Sequence, residues 1–136
     1  MRLTHHWHLF CLATTCWTLF FVWGLSSDYF QTYSFWPLLI VGEIFPAIAL
    51  SYYAWQRCTR HPERAWSSAM WIAFYMTVPL FCYDYLYLAE HQQRGWTFLQ
   101  SHWYLTAFYI IPWVIVPPIG WWARRTRESG NHPPRA

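Results

Sequence analysis

The stretch FWPLLIVGEIFPAIALSYYAWQ, residues 35–56, is an apolar run long enough to cross a bilayer as a helix. Glu43 lies within it, directly after Gly42 and three residues before Pro46. A charged side chain in hydrocarbon costs about 2.5–3.5 kcal/mol on insertion scales, so Glu43 needs a partner, a proton or a function. The stretch therefore predicts a membrane span that carries a candidate site.

The composition places this span in a membrane protein. The 136-residue chain is 56% hydrophobic and 24% aromatic, and only 11% of its residues are charged, whereas soluble domains carry about 25%. The net charge of +3 comes from arginine, because the chain contains no lysine. These arginines flank apolar runs, which is typical of membrane topology signals and lipid-headgroup contacts. The extended basic surface that nucleic-acid binding requires is missing, so no nucleic-acid partner is expected.

Four apolar segments, about 9–26, 35–56, 65–88 and 102–122, are predicted to be helical spans of a single domain covering residues 1–123. The first is predicted to be retained, because the LSSDYF sequence that follows offers no A-x-A-like cleavage site for a signal peptidase. Residues 124–136 are predicted to form a disordered, basic cytoplasmic tail.

The arginines predict the orientation. All but Arg94 fall on one side of the predicted membrane, and the positive-inside rule puts that side in the cytoplasm. Both termini are then cytoplasmic, which requires an even number of spans. The predicted fold is an all-α, antiparallel four-helix membrane bundle, and the style of the chain favours the bacterial inner (plasma) membrane. Most tryptophans lie at the two interfaces, as in an aromatic belt; those in the middle are Trp17, Trp71 and Trp113.

Polar side chains are predicted to form a layer in the outer half of the membrane. At a rise of 1.5 Å per residue, Glu43 lies roughly 10 Å below the outer boundary and Asp84 roughly 6 Å. Residues three or four apart share a helix face, so inward-facing stripes on the second, third and fourth spans would enclose an acidic, aromatic-walled cavity. The predicted ligand-binding residues are Glu43, Thr77, Asp84, Tyr87, Thr106, Tyr109 and Trp113.

Each acidic residue also has a purely structural interpretation. Glu43 can be a protonated residue that hydrogen-bonds a neighbouring helix, and Asp84 is shallow enough to meet water or Arg94. Prolines in the spans, such as Pro46, are also tolerated in membrane helices as simple kinks. The sequence leaves these alternatives open.

No metal or cofactor is predicted. The histidines cluster at the two ends of the spans, whereas a bis-histidine haem needs two ligands at one depth on facing helices. The four cysteines lack CxxC spacing, and three of them lie in spans, where free cysteine behaves as a small apolar residue. The sequence also contains no HExxH zinc motif, G-x-S-x-G elbow or phosphate-binding loop.

Two segments, GEIFPAIAL at 42–50 and YIIPWVIVPP at 109–118, resemble the EXPERA-domain membrane proteins, which include sterol isomerases and sterol-binding proteins. They cover under a fifth of the chain, and the loop after the first span is shorter than in that family. Small multidrug exporters also have four spans, but they carry their essential glutamate in the first span, which has no acidic residue here.

The first functional hypothesis is a binding or accessory membrane protein. Its outer-half pocket would hold an apolar or amphipathic ligand such as a lipid, quinone or isoprenoid. The expected partners are membrane lipids, together with a larger membrane complex or further copies of the chain. The alternatives are an enzyme that acts on a lipid-soluble substrate, with Glu43 as general acid or base, and a small proton-coupled transporter that uses Glu43.

Overall fold

The computed structural model describes residues 3–25 and 36–130, and every secondary-structure element in these ranges is helical. The predicted outer loop at 27–34 and the end of the predicted tail, 131–136, lie outside them. The long helices are α1 (Leu3–Leu25), α2 (Trp36–Arg60) and α6 (Trp103–Gly130). Shorter helices α3 (Ala65–Tyr75), α4 (Val78–Asp84) and α5 (Phe98–Ser101) lie between α2 and α6, with 3-10 turns at Pro62–Arg64 and Gly95–Thr97 and a π-helical segment at Tyr85–His91.

Three segments in the described part of the chain are long and apolar enough to cross a membrane. They are Thr4–Leu25, Pro62–His91 and Trp103–Thr126. The predicted all-helical class and the presence of membrane-crossing helices are thus confirmed across these residues. The α2 helix, which contains the opening stretch, is not among the three, so its span stays a prediction, as does the position of both termini in the cytoplasm.

The third segment is not one continuous helix, although the sequence predicted a single span over 65–88. Helix α3 ends at Tyr75, and α4 begins at Val78 with a proline in its first turn. Pro79 has no N–H to bond the Tyr75 carbonyl, so the chain turns at Met76 and Thr77 instead. After Asp84 the helix widens into the π-helical segment, a rare conformation that is frequently found at functional sites.

The ends of the long helices also differ from the predicted boundaries. Helix α1 begins at Leu3, so the histidine-rich start is helical, and α6 continues to Gly130, into the segment predicted to be a disordered tail. The Arg125 guanidinium lies 3.9 Å from the centre of the Trp121 ring one turn earlier. This cation–π contact stabilises the end of α6.

The closest packing joins α6 to α3. Ala65, Ala69 and Ala73 recur every four residues along α3 and are buried, and α6 contacts them with Gly120. A Cβ atom at Gly120 would lie 2.5 Å from the Ala69 Cβ and 3.0 Å from the Ala65 carbonyl oxygen. Small residues at this spacing let membrane helices approach closely. Helix α6 also packs against α2, whereas α1 packs against α3 and α4.

Candidate functional site

A small, mostly aromatic cavity that holds two carboxyl groups lies where α1, α2, α4 and α6 meet. Its volume is about 40 Å³, which is room for a water molecule or a small polar group. We call it the polar chamber. Its lining residues are Trp17, Phe20, Trp23, Gly42, Glu43, Leu80, Asp84, Tyr104, Leu105 and Phe108.

A much larger space of about 570 Å³ adjoins this chamber, and we call it the apolar cleft. One wall comes from α1 and the other from α2, and the floor is formed by Met76 between α3 and α4, by Leu80 on α4 and by residues of α6. The lining residues are Leu12, Cys16, Leu19, Phe20, Trp23, Val41, Gly42, Phe45, Pro46, Ala47, Ala49, Leu50, Tyr53, Met76, Leu80, Phe108, Ile111 and Pro112.

The chamber and the cleft share a boundary, because Phe20, Trp23, Gly42, Leu80 and Phe108 line both. Gly42 sets the width of this boundary. A Cβ atom there would lie 3.3 Å from Cζ3 of the Trp23 ring, so glycine lets the indole approach α2 closely. The chamber and the cleft are therefore neighbouring spaces with common walls.

Asp84 is held by two hydrogen bonds and is only 3% exposed. The Trp17 indole N–H donates to Oδ1 at 2.8 Å, and the Tyr109 hydroxyl donates to Oδ2 at 2.6 Å. The Thr77 hydroxyl in turn donates to the Tyr109 carbonyl oxygen at 3.3 Å. Asp84 thus joins α1, α4 and α6 at the residue where α4 becomes π-helical, rather than meeting water at the membrane surface.

Glu43 differs from Asp84 in its partners. Its Oε2 is closed off from solvent and has no hydrogen-bond partner in the described part of the chain. A buried polar atom without a partner costs roughly 1–3 kcal/mol. The Glu43 carboxyl group is therefore the group in the chamber that gains most from a hydrogen-bonding ligand.

The structure brings some of the sequence-predicted site residues together and separates others. Glu43 and Asp84 line the same chamber, and Tyr109 reaches it through Asp84. Thr77, Tyr87, Thr106 and Trp113 line neither space. The Thr106 hydroxyl donates to the Leu99 carbonyl oxygen at 2.8 Å, the Tyr87 ring packs against that of Phe21, and Trp113 is 38% exposed.

This separation has a geometric cause. Residues on one stripe share a face of their own helix, but packing decides which way that face points. Helix α6 directs Pro112, Val116 and Gly120 inward, because these residues fit against its neighbours. Trp113 follows Pro112 by one residue, about 100° around the helix, so its side chain points elsewhere.

Two residues of the chamber, Trp17 and Tyr104, are not among those that the sequence predicted for the site. Trp17 did carry a signal, because it lies in the middle of its span, away from both interfacial belts. A tryptophan at that depth needs an acceptor for its indole N–H, and Asp84 provides it. Tyr104 carried no such signal, since it lies near an end of its span, where tyrosine is common.

The part of the chain that the structure describes contains no group of three or more histidine, cysteine or acidic side chains suited to hold an ion. The chain matches no family model, no curated protein and no solved structure. The chamber and the cleft are therefore interpreted from their own residues.

Proposed function

We propose that the protein is a four-span membrane protein of the bacterial inner membrane, with both termini in the cytoplasm, which binds a lipid-soluble molecule between α1 and α2. The distribution of arginines supports the orientation. The length of α2 supports the fourth span, because its 25 residues extend about 37 Å. That length exceeds the hydrocarbon thickness of about 30 Å.

The cleft supports an apolar or amphipathic ligand. Its volume of about 570 Å³ lies within the range of roughly 300–1,000 Å³ that is typical of small-molecule sites. Its walls are almost entirely hydrocarbon and aromatic, which suits the acyl or isoprenoid chain of a lipid or quinone. The chamber is large enough only for a compact head such as a hydroxyl, carbonyl or amine group.

The single observation that carries this proposal is the unpartnered Oε2 of Glu43 beside the apolar cleft. A ligand head in the chamber would supply the missing hydrogen bond while its tail filled the cleft. The two carboxyl groups on one chamber also favour a second candidate, an enzyme that uses Glu43 as general acid or base on a lipid-soluble substrate. A proton-coupled transporter would use the same two groups. The exposed apolar surface fits lipid as well as a larger complex or a second copy.

Native mass spectrometry of the protein in a gentle detergent tests the binding site. We expect a lipid-soluble molecule to remain bound to the wild type. Ala49→Trp, which fills the cleft, should reduce its occupancy at least about tenfold, since a bulky side chain would occupy its space. Ile48→Trp is the matched control, because Ile48 neighbours Ala49 but does not line the cleft. Equal occupancy in the two variants would contradict the proposal.

Substitution of Glu43 separates the binding function from its alternatives. Glu43→Leu removes the hydrogen-bonding group and should lower occupancy about tenfold, which corresponds to the roughly 1.4 kcal/mol that such a bond supplies. Glu43→Gln keeps a hydrogen-bonding group but cannot titrate, so a binding protein should retain its ligand. Loss of activity or transport with binding intact would favour the enzyme or the transporter. Unchanged ligand occupancy in Glu43→Leu would show that Glu43 does not contribute to the binding site.

A further inference from the structure

A second polar cavity lies at the arginine-rich end of the molecule, far from the chamber. Its volume is about 470 Å³, and we call it the basic cavity. It is formed by the beginning of α1, the end of α2 and the turn that leads into α3. Its ionisable side chains are His5, His8, Arg57, His61, Glu63 and Arg64. Along α1, twelve residues separate His5 from Trp17, which places the two sites about 18 Å apart.

Arg57 is half-buried in this cavity without a carboxylate partner in the described part of the chain. Its Nη2 lies 3.2 Å from Nδ1 of His5. A guanidinium group can only donate, so His5 Nδ1 is the acceptor and a neutral His5 ring carries its proton on Nε2. Arg57 therefore uses a neutral acceptor, and no acidic side chain among the described residues lies at contact distance from its charge.

Two further N–H groups of this pair have no acceptor. Arg57 Nε and His5 Nε2 are both closed off from solvent and lack a hydrogen-bond partner among the residues described. Buried donors without an acceptor are costly, and both belong to side chains that line the cavity. The pair is thus short of acceptors as well as of negative charge.

The remaining walls are also suited to an anion. Among the described residues that line the cavity, Glu63 is the one with a carboxylate, and it lies 3.6 Å from Nδ1 of His61. Two arginines thus outweigh one acid. The hydroxyls of Thr4 and Ser68 add donors to the walls of the cavity.

We propose that the basic cavity binds a phosphate group, either as the phosphate ester of a lipid headgroup or as free phosphate. The planar guanidinium fork of Arg57 matches two phosphate oxygens at once. Arg64 supplies a second positive charge, and the hydroxyls complete the hydrogen bonding. The volume of the cavity exceeds that of the phosphate group alone, so it also accommodates the atoms to which the phosphate is esterified.

The test compares phosphatidic acid with diacylglycerol of the same acyl chains, each added to the full-length protein in neutral detergent and measured by native mass spectrometry. The wild type should retain phosphatidic acid at least about tenfold better, since only it carries the phosphate. Arg57→Gln should abolish this preference. Arg60→Gln is the matched control and should keep it within about twofold, because Arg60 is exposed and donates to Gln56 on the same helix instead of lining the cavity.

A second measurement identifies the source of the bound phosphate group: inorganic phosphate is added, and the thermal unfolding midpoint of each variant is recorded. A rise for the wild type and Arg60→Gln that is absent in Arg57→Gln supports free phosphate as a ligand. Preference for phosphatidic acid without such a rise supports a lipid headgroup. Arg64→Gln, at an exposed position of the cavity wall, gives a second test if Arg57→Gln does not fold, with an expected loss of about threefold in the preference for phosphatidic acid. Equal retention of both lipids by the wild type, together with no response to inorganic phosphate, would overturn the proposal, as would equal losses in Arg57→Gln and Arg60→Gln.

Discussion

The contact between α3 and α6 and the cleft between α1 and α2 are two helix pairings with opposite outcomes. At Gly120 the backbones are so close that a methyl group would collide with Ala69. At Gly42 the other pair also approaches closely, because the Trp23 ring lies against the glycine. Beyond that point, however, α1 and α2 border an open space of about 570 Å³.

The difference shows how this chain forms a cavity in a membrane environment. Helices in lipid associate through close van der Waals packing, because burial of apolar groups gives little gain when lipid is equally apolar. Small residues recur along the facing sides of α3 and α6, and these two helices therefore pack in close contact. Bulky residues such as Phe20, Trp23 and Phe45 line the other pair, and one glycine allows only a local approach.

The largest expected effect on stability comes from adding a methyl group at Gly120, where α6 lies against α3. Gly120→Ala should lower the free energy of unfolding by about 1–3 kcal/mol, because the new methyl group meets backbone and Cβ atoms that cannot move aside. Thermal unfolding in detergent measures the loss. Gly42→Ala is the matched control, with an expected loss under about 1 kcal/mol, since the tip of the Trp23 ring can shift into the cleft. A larger loss at Gly42 would reverse the comparison.

A smaller effect is expected where Asp84 joins the helices beside the cleft. Tyr109→Phe removes the hydroxyl that donates to Oδ2 of Asp84 and should cost about 1 kcal/mol, since the pair is buried. Tyr52→Phe removes a hydroxyl from an exposed tyrosine and should change stability by less than about 0.5 kcal/mol. Chemical unfolding of both variants in one detergent gives the difference. Similar losses would show that Asp84 does not anchor this side of the cleft.

The smallest effect is expected at Trp113, which the sequence placed in the pocket and the structure places outside it. Trp113→Phe should leave the occupancy of the cleft ligand within about twofold of the wild type, because this side chain lines neither the chamber nor the cleft. Native mass spectrometry measures the ligand occupancy of Trp113→Phe and of Ala49→Trp under the same conditions. A loss as large as that of Ala49→Trp would mean that α6 presents its predicted stripe to the ligand after all.

The sequence predicted the class of the protein and part of its site for clear physical reasons. A long apolar run that crosses lipid as a helix satisfies its backbone hydrogen bonds within the segment, and acidic residues inside such a run are candidates for a site because burying their charge in lipid costs free energy. Glu43 and Asp84 were both singled out in this way, and both line one chamber. What separates them, two hydrogen bonds on Asp84 and an unpartnered oxygen on Glu43, depends on contacts between residues distant in the chain.

Composition and periodicity by themselves determined that the chain is helical, that it has membrane-crossing segments and that its arginines gather at particular ends. Only the tertiary structure decided that Trp17 meets Asp84, that the cleft opens between α1 and α2, and that Thr106 and Trp113 turn away from it. The rotation of each helix about its own axis explains this division. That rotation depends on which small and large side chains fit together across helices. The sequence of one helix alone does not determine it.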